Sequence, residues 1–413
     1  MGSGGRSISS TKEGSSGTRT TQRRRSTWGS PTKPSGRREE LFPYRLVASD
    51  LSSDRGRERT VPDEILQKVV VSWEPRIVTN GVDANDYRRT VQGLERWDQW
   101  YGAWMGLGRQ HESLAEEALE AGRTLTAQEA YYRAAVAYHF AVFCWVHNLE
   151  EYTAGHRKRV ECYGKALPGF DPPGERVEIP LEGTLMPGYL RRPRGVERPP
   201  VVLFLSGLDS TKEEHHTFEN HFLRRGLATL TVDGPGQGEM WYRMKMRVDF
   251  EVTARAAIDF LLGRDDVDGT RVGVCGVSLG GYLAARCAAL EPRIRAVACC
   301  GSLYSPETSA ILLRDAFHRQ RWLHIWGAKD EEELQEKSRG ATLAGIARYI
   351  RAPLLVVHGE QDNLIPPEDP YRIYEEASGP KRWVCYPEGN HVCNNIPYKY
   401  RPLVADFLAE ALR

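Results

Sequence analysis

No stretch of this 413-residue chain is apolar for long enough to cross a bilayer. The longest candidate, AYHFAVFCWV at 137–146, is too short and too polar, so no membrane span is expected. No apolar run follows the N-terminus as a secretory signal would require. The eight cysteines (144, 162, 275, 287, 299, 300, 385 and 393) form no C-x-x-C pair. Several lie in apolar runs such as VACC and WVCY, which suits reduced core thiols and a cytoplasmic protein. Neither a phosphate-binding glycine loop nor zinc-type ligand spacing is present, so no cofactor and no metal are expected. Excess charge is missing too, with 56 Lys plus Arg against 55 Asp plus Glu. Residues 1–38 hold nine of the basic residues and only one acidic one, which leaves the remainder mildly acidic. A mildly acidic body gives no footprint for nucleic acid.

Three regions differ in pattern. Residues 1–60 are rich in Ser, Gly, Thr and Arg and have almost no periodic apolar positions. Such a segment buries too little surface to offset its ordering entropy, and a disordered basic tail is expected. Deleting residues 1–55 should leave activity and thermal stability unchanged, and a fall of several degrees in Tm would show that the tail docks on the body. Residues 61–170 have helical periodicity and are expected to form a lid domain. Trp97, Trp100, Tyr101 and Trp104 recur at i, i+3, i+4 and i+7, making one aromatic face. That face suits core packing and, alternatively, the wall of an aromatic substrate pocket, with Trp100 and Trp104 as candidates. TAQE at 126–129 reads as a capping box that opens a helix at Thr126.

From 171 to 413 the pattern is α/β. ERVEIPLEGTLMPGYLRRP reads as two strands around a glycine turn. VVLFL (201–205), ATLTV (228–232), RVGVC (271–275), RAVACC (295–300), PLLVVH (353–358) and RWVCY (382–386) are short and continuously apolar. Continuous apolarity marks strands covered on both faces, hence a mostly parallel sheet. Residues 301–350 show only helical segments, with Trp322 and Trp326, and read as an insertion able to cover the sheet's carboxyl edge.

CGVSLGG at 275–281 joins an apolar strand to a helix, and its G-x-S-x-G pattern places Ser278 on a sharp strand-to-helix turn. A serine hydroxyl needs a base within hydrogen-bond reach to act as a nucleophile. On a sheet of this kind the partners follow in the order Ser, acid, His. Asp362 lies just past the run PLLVVHGEQD, and His391 lies in the loop after the last strand. Carboxyl ends of parallel strands gather such groups, so the three side chains are expected to converge as nucleophile, orienting acid and base. The backbone N–H of Leu279 and one from SGLDS at 206–210, taken as Leu208, are the expected oxyanion donors. EEHH at 213–216 reads as a helix start with exposed histidines rather than a metal site, and Glu239 in DGPGQGE as a solvated turn residue.

SGLDSTKEE, DGPGQGE, GVSLGG, HGEQDNLIP and GNH, behind a helical N-terminal region, resemble the α/β-hydrolases related to 2,6-dihydroxypseudooxynicotine hydrolase. Fungal hydrolases that shorten polyketides in melanin pathways resemble the chain as well. The resemblance covers residues 62–413. It implies an α/β-hydrolase fold with a nucleophile elbow and a helical cover, a homodimer, and hydrolysis of a C–C bond beside a ketone in a 1,3-dicarbonyl or aryl ketone. It also implies an additional glutamate after the strand that follows the elbow, for which SLYSPETS offers Glu307. The expected partner is a small aromatic or polyketide-like carbonyl compound, with Trp322 as a further contact. Ester hydrolysis, acyl transfer or cyclisation, and non-catalytic binding remain alternatives on the same scaffold.

Overall fold

Eight strands form a single sheet in the computed structural model, which describes residues 63–308 and 316–413. The tail expectation falls on residues outside those described. The strands are β1 Gly174–Leu181, β2 Thr184–Arg191, β3 Pro200–Leu205, β4 Ala228–Val232, β5 Asp268–Val277, β6 Ile294–Cys300, β7 Leu354–Gly359 and β8 Lys381–Tyr386. Their order is β1-β2-β4-β3-β5-β6-β7-β8; β1 pairs antiparallel with β2 and β2 with β4, and all later pairs are parallel. The α/β expectation holds strand by strand, because β3, β4 and β7 are buried at every position. Period-two alternation divides each strand between two layers. Val201, Leu203 and Leu205 of β3 join one apolar cluster, while Val202 and Phe204 join the other on the opposite face.

Five helices precede the sheet: α1 Glu64–Thr79, α2 Ala84–Gln92, α3 Trp100–Glu120, α4 Thr124–Val142 and α5 Leu149–Ala166. Their apolar faces make a third cluster. The aromatic face around Trp100 turns into this cluster. Trp100 and Trp104 are fully buried, their rings are 5.2 Å apart, and Trp100 Nε1 donates to the Phe140 carbonyl at 2.8 Å. They are core residues and do not line a substrate pocket. The capping-box expectation also fails: α4 begins at Thr124 with Arg123 before it and no side-chain cap.

Helices α6 His216–Leu223, α7 Glu251–Leu262 and α8 Leu279–Leu290 alternate with the central strands. The segment after β6 contains helices Ala316–Trp326 and Glu331–Lys337 and no strand among its described residues, as expected. No helix among the described residues is long and apolar enough to cross a membrane. The eight cysteines are all free thiols; seven are buried and Cys385 is half-buried.

Candidate active site

The turn from β5 into α8 holds Ser278 at φ 57° and ψ −122°. This region disfavours side chains and costs on the order of 1–3 kcal/mol, so the surrounding contacts must enforce it. The Ser278 N–H donates to the Cys300 carbonyl at 2.8 Å. A Cβ at Gly276 would strike the Gly280 carbonyl, and one at Gly280 would strike the Leu205 carbonyl. Both glycines are therefore dictated by close backbone approach.

Asp362 follows β7 and His391 follows β8, which bring them to the same edge as Ser278. Ser278 Oγ is 3.0 Å from His391 Nε2, and His391 Nδ1 is 2.8 Å from Asp362 Oδ2. Asp362 Oδ1 accepts from the N–H groups of Leu364 and Ile365, both at 2.9 Å, which fixes the carboxylate's orientation. Burial opposes ionisation of Asp362, but His391 and the Ile365 amide outweigh it and hold the carboxyl below its usual range. An ionised acceptor at Nδ1 selects the tautomer whose Nε2 lone pair faces the serine. Residues Val392 and Cys393, directly after the histidine, both have positive φ (58° and 56°), so the histidine loop is strained as well. The arrangement can draw a proton from Ser278 and return it to a leaving group.

A cavity opens over Ser278, with Trp73, Leu208, Trp322, Leu364 and His391 in its wall. Leu208, Leu279 and Trp322 all line this cavity. Leu279 is the first residue of α8, so its N–H has no intrahelical acceptor. The 206–210 loop presses on the elbow: a Cβ on Gly207 would lie 3.4 Å from Ser278 Cβ. Glu307 is elsewhere. Its carboxylate accepts from the Gly340 N–H at 2.6 Å, its own N–H donates to the Ala341 carbonyl at 3.2 Å, and it does not line the cavity.

The helical layer reaches the site through α1, which the sequence reading did not single out. Trp73, Arg76 and Asn80 line the cavity. Their i, i+3, i+7 spacing puts an aromatic, a cation and an amide on one helix face, and that signal was available in VSWEPRIVTN. Arg76 joins the layers: Nε and Nη2 donate to Glu214 at 2.6 and 2.7 Å, and Nη1 donates to Asp209 at 2.7 Å. Asn80 Nδ2 donates to Glu214 at 2.6 Å, and His139 Nε2 lies 3.1 Å from the same carboxylate.

EEHH is therefore not a solvated helix start. Glu213, Glu214 and His215 are buried, and His216 is largely shielded. Glu239 is also paired rather than solvated, meeting Lys212 at 2.6 Å and Arg176 at 2.7 Å. Glu213, Asp233 and Glu239 cluster closely enough to hold a cation, and the Lys212 ammonium contacts all three at 2.6–2.7 Å. Burial opposes that charge, but Asp233 and Glu213 hold the ammonium protonated. The side chain supplies the positive charge that this trio needs.

Burial also pushes His215, His216 and His324 down to about 3 and lowers His139. In the unfolded chain these rings take up protons near pH 6.5. The folded chain keeps them neutral, so this stability is complete above pH 6.5 and is lost as pH falls toward the folded values. Tm should begin to fall below about pH 6.5, before the ordinary carboxylates titrate. Thermal melts showing a flat Tm from pH 7 to 5 would contradict this.

A doubly covered, mostly parallel sheet with a strained serine elbow, and a histidine and a carboxylate on the following strand ends, defines an α/β hydrolase. Residues 41–310 match the family described as esterase FrsA-like, and 215–413 match the prolyl oligopeptidase family. The chain belongs to the FrsA-like family of α/β hydrolases and is an enzyme of the serine hydrolase type. It is 32% identical over 357 residues to 2,6-dihydropseudooxynicotine hydrolase of Paenarthrobacter nicotinovorans, spanning 83% of this chain and 92% of that protein. A crystal structure of 2,6-dihydroxy-pseudo-oxynicotine hydrolase superposes with a TM-score of 0.75 at 32% identity, covering 82% of this chain and 95% of that one. The α/β hydrolase xenA of Xenoacremonium sinensis is 32% identical over 234 residues, 53% of this chain and 55% of its own length. The chain thus matches only about half the length of that fungal relative.

Proposed function

We propose that the chain hydrolyses a C–C bond next to a ketone, in a 1,3-dicarbonyl or aryl ketone substrate, through Ser278, His391 and Asp362. The observation that carries this reading is the unbroken chain of contacts from Ser278 Oγ to His391 at 3.0 Å and on to Asp362 at 2.8 Å, on a strained elbow. Ser278 attacks the carbonyl carbon while His391 Nε2 takes its proton. The N–H groups of Leu279 and Leu208 receive the oxyanion. In a 1,3-dicarbonyl the C–C bond then breaks and its electron pair passes to the α-carbon, where the second carbonyl spreads it as an enolate. In an aryl ketone the pair passes to the ring carbon that bore the acyl group. His391 returns the proton to that carbon, and a water activated by the freed imidazole releases the acid from Ser278. Trp73 and Trp322 in the cavity wall suit an aromatic or polyketide-like body. The hydrolase of a pseudooxynicotine derivative, with which the chain aligns over most of both lengths, supports a ketone substrate.

The esterase description of the matching family favours a second reading, hydrolysis of a carboxylic ester at the same residues. Product analysis separates the two. Incubating the full chain with an aryl 1,3-diketone should release an acid and a ketone in equal amounts. Turnover confined to the ester of the same acid would favour ester hydrolysis, and turnover of neither would overturn both.

A further inference from the structure

Beside the cavity over Ser278 lies a smaller one, with room for little more than one water-sized group, and the two share Leu208, Asp209 and Ser210. Arg159, Gln237 and Arg321 line the smaller cavity. Arg321, on helix Ala316–Trp326, is 5% exposed. Its Nη2 donates to the Leu208 carbonyl at 3.2 Å, while its Nε and Nη1 make no hydrogen bond among the described residues. Arg159 is held by Glu213, with Nε at 3.3 Å, and by His139, yet its Nη2 also makes none. Gln237 Nε2 donates to the Ser206 carbonyl at 2.8 Å, which fixes the amide's orientation and leaves Oε1 without a donor among the described residues. Buried polar groups left this way carry a desolvation penalty, which a ligand that satisfies them removes.

Hydrogen-bonding capacity narrows the choice of ligand. Among the described residues Arg76, Arg159 and Lys212 are paired with carboxylates, whereas Arg321 bonds only to the Leu208 carbonyl. A carboxylate accepts but does not donate, so in the smaller cavity it would leave Gln237 Oε1 without a donor. A neutral oxygen uses the idle N–H groups of Arg321 and Arg159. In its enol or phenol form it also donates to Gln237 Oε1.

We propose that this cavity is a second carbonyl subsite: Arg321 binds a neutral ketone or enol oxygen of the substrate, several bonds from the carbonyl that Ser278 attacks. The inference rests on the hydrolase reading and narrows its substrates to poly-oxygenated compounds. Arg321 is a specificity residue here. Because it also holds the Leu208 carbonyl, its removal will disturb the 206–210 loop, and this disturbance falls equally on all ligands.

The test therefore reads a ratio. The full chain carrying Ser278→Ala, which cannot turn ligand over, is titrated by tryptophan fluorescence. The ligands are aryl diketones with stepwise increasing separation of the carbonyls, each paired with the monoketone of equal length. At least one diketone should bind about tenfold more tightly than its monoketone. Adding Arg321→Met should bring that ratio close to one, and Arg321→Lys should keep part of it. No preference for any diketone in the parent, or a preference that survives Arg321→Met, would overturn the proposal. Failure of the hydrolase reading would appear separately, as no turnover of these ketones by the chain that retains Ser278.

Discussion

Ser278→Ala is expected to lower kcat by about 10⁴-fold or more and to leave the fold intact. The loss follows from the geometry: the hydroxyl is the atom that His391 addresses at 3.0 Å, and no other hydroxyl takes its place on the elbow. His391→Ala should be nearly as severe, because the serine then has no base. Asp362→Asn should be milder, since the ring keeps its place near Oγ but loses the acceptor that fixes its tautomer. The double variant Ser278→Ala/His391→Ala should be no worse than Ser278→Ala alone, because groups that act as a unit do not lose activity additively. Steady-state kinetics and a thermal melt on the same samples decide it. Turnover by Ser278→Ala within tenfold of the parent would remove the covalent mechanism.

Arg76→Ala is expected to be strongly destabilising, costing about 3–5 kcal/mol. Arg76 bonds to both Asp209 and Glu214, and all three side chains are at most about one-tenth exposed. Burial opposes the guanidinium's charge, and the two carboxylates more than offset this. Removing the cation leaves both buried acids without it, and the contact between α1 and the loop behind the elbow goes as well. Arg76→Ala/Glu214→Gln should recover part of the loss, because it removes one of the stranded charges. Chemical denaturation measures both. A cost below about 1 kcal/mol for Arg76→Ala would mean that the pair contributes little to holding the layers together.

The parallel sheet was legible because its strands are buried on both faces, and a run as short and continuously apolar as VVLFL suits a strand shielded from water on each side. The positions of Ser278, Asp362 and His391 were legible for a related reason. Each follows a readable strand, and the sheet brings all the strand ends to one edge. The wall of the site was far less legible. Periodicity shows that Trp100 and Trp104 share a face but not what that face meets, and here it meets Phe140 rather than substrate. Charge was misread at Glu213, Glu214 and Glu239 because polar residues at helix starts and turns ordinarily face solvent. Partners remote in sequence changed that, with Arg76 lying 138 positions from Glu214. Glu307 failed for a local reason: it serves the Gly340 backbone within the insertion.

Labelling by a fluorophosphonate probe tests most directly whether Ser278 is a nucleophile driven by His391 and Asp362. The full chain should gain one probe mass, mapped by peptide mass spectrometry to the segment carrying Ser278. In His391→Ala the labelling rate should fall by about 10²–10⁴-fold, the usual contribution of a positioned base. No labelling of the parent, an adduct at another residue, or an undiminished rate without His391 would contradict the account.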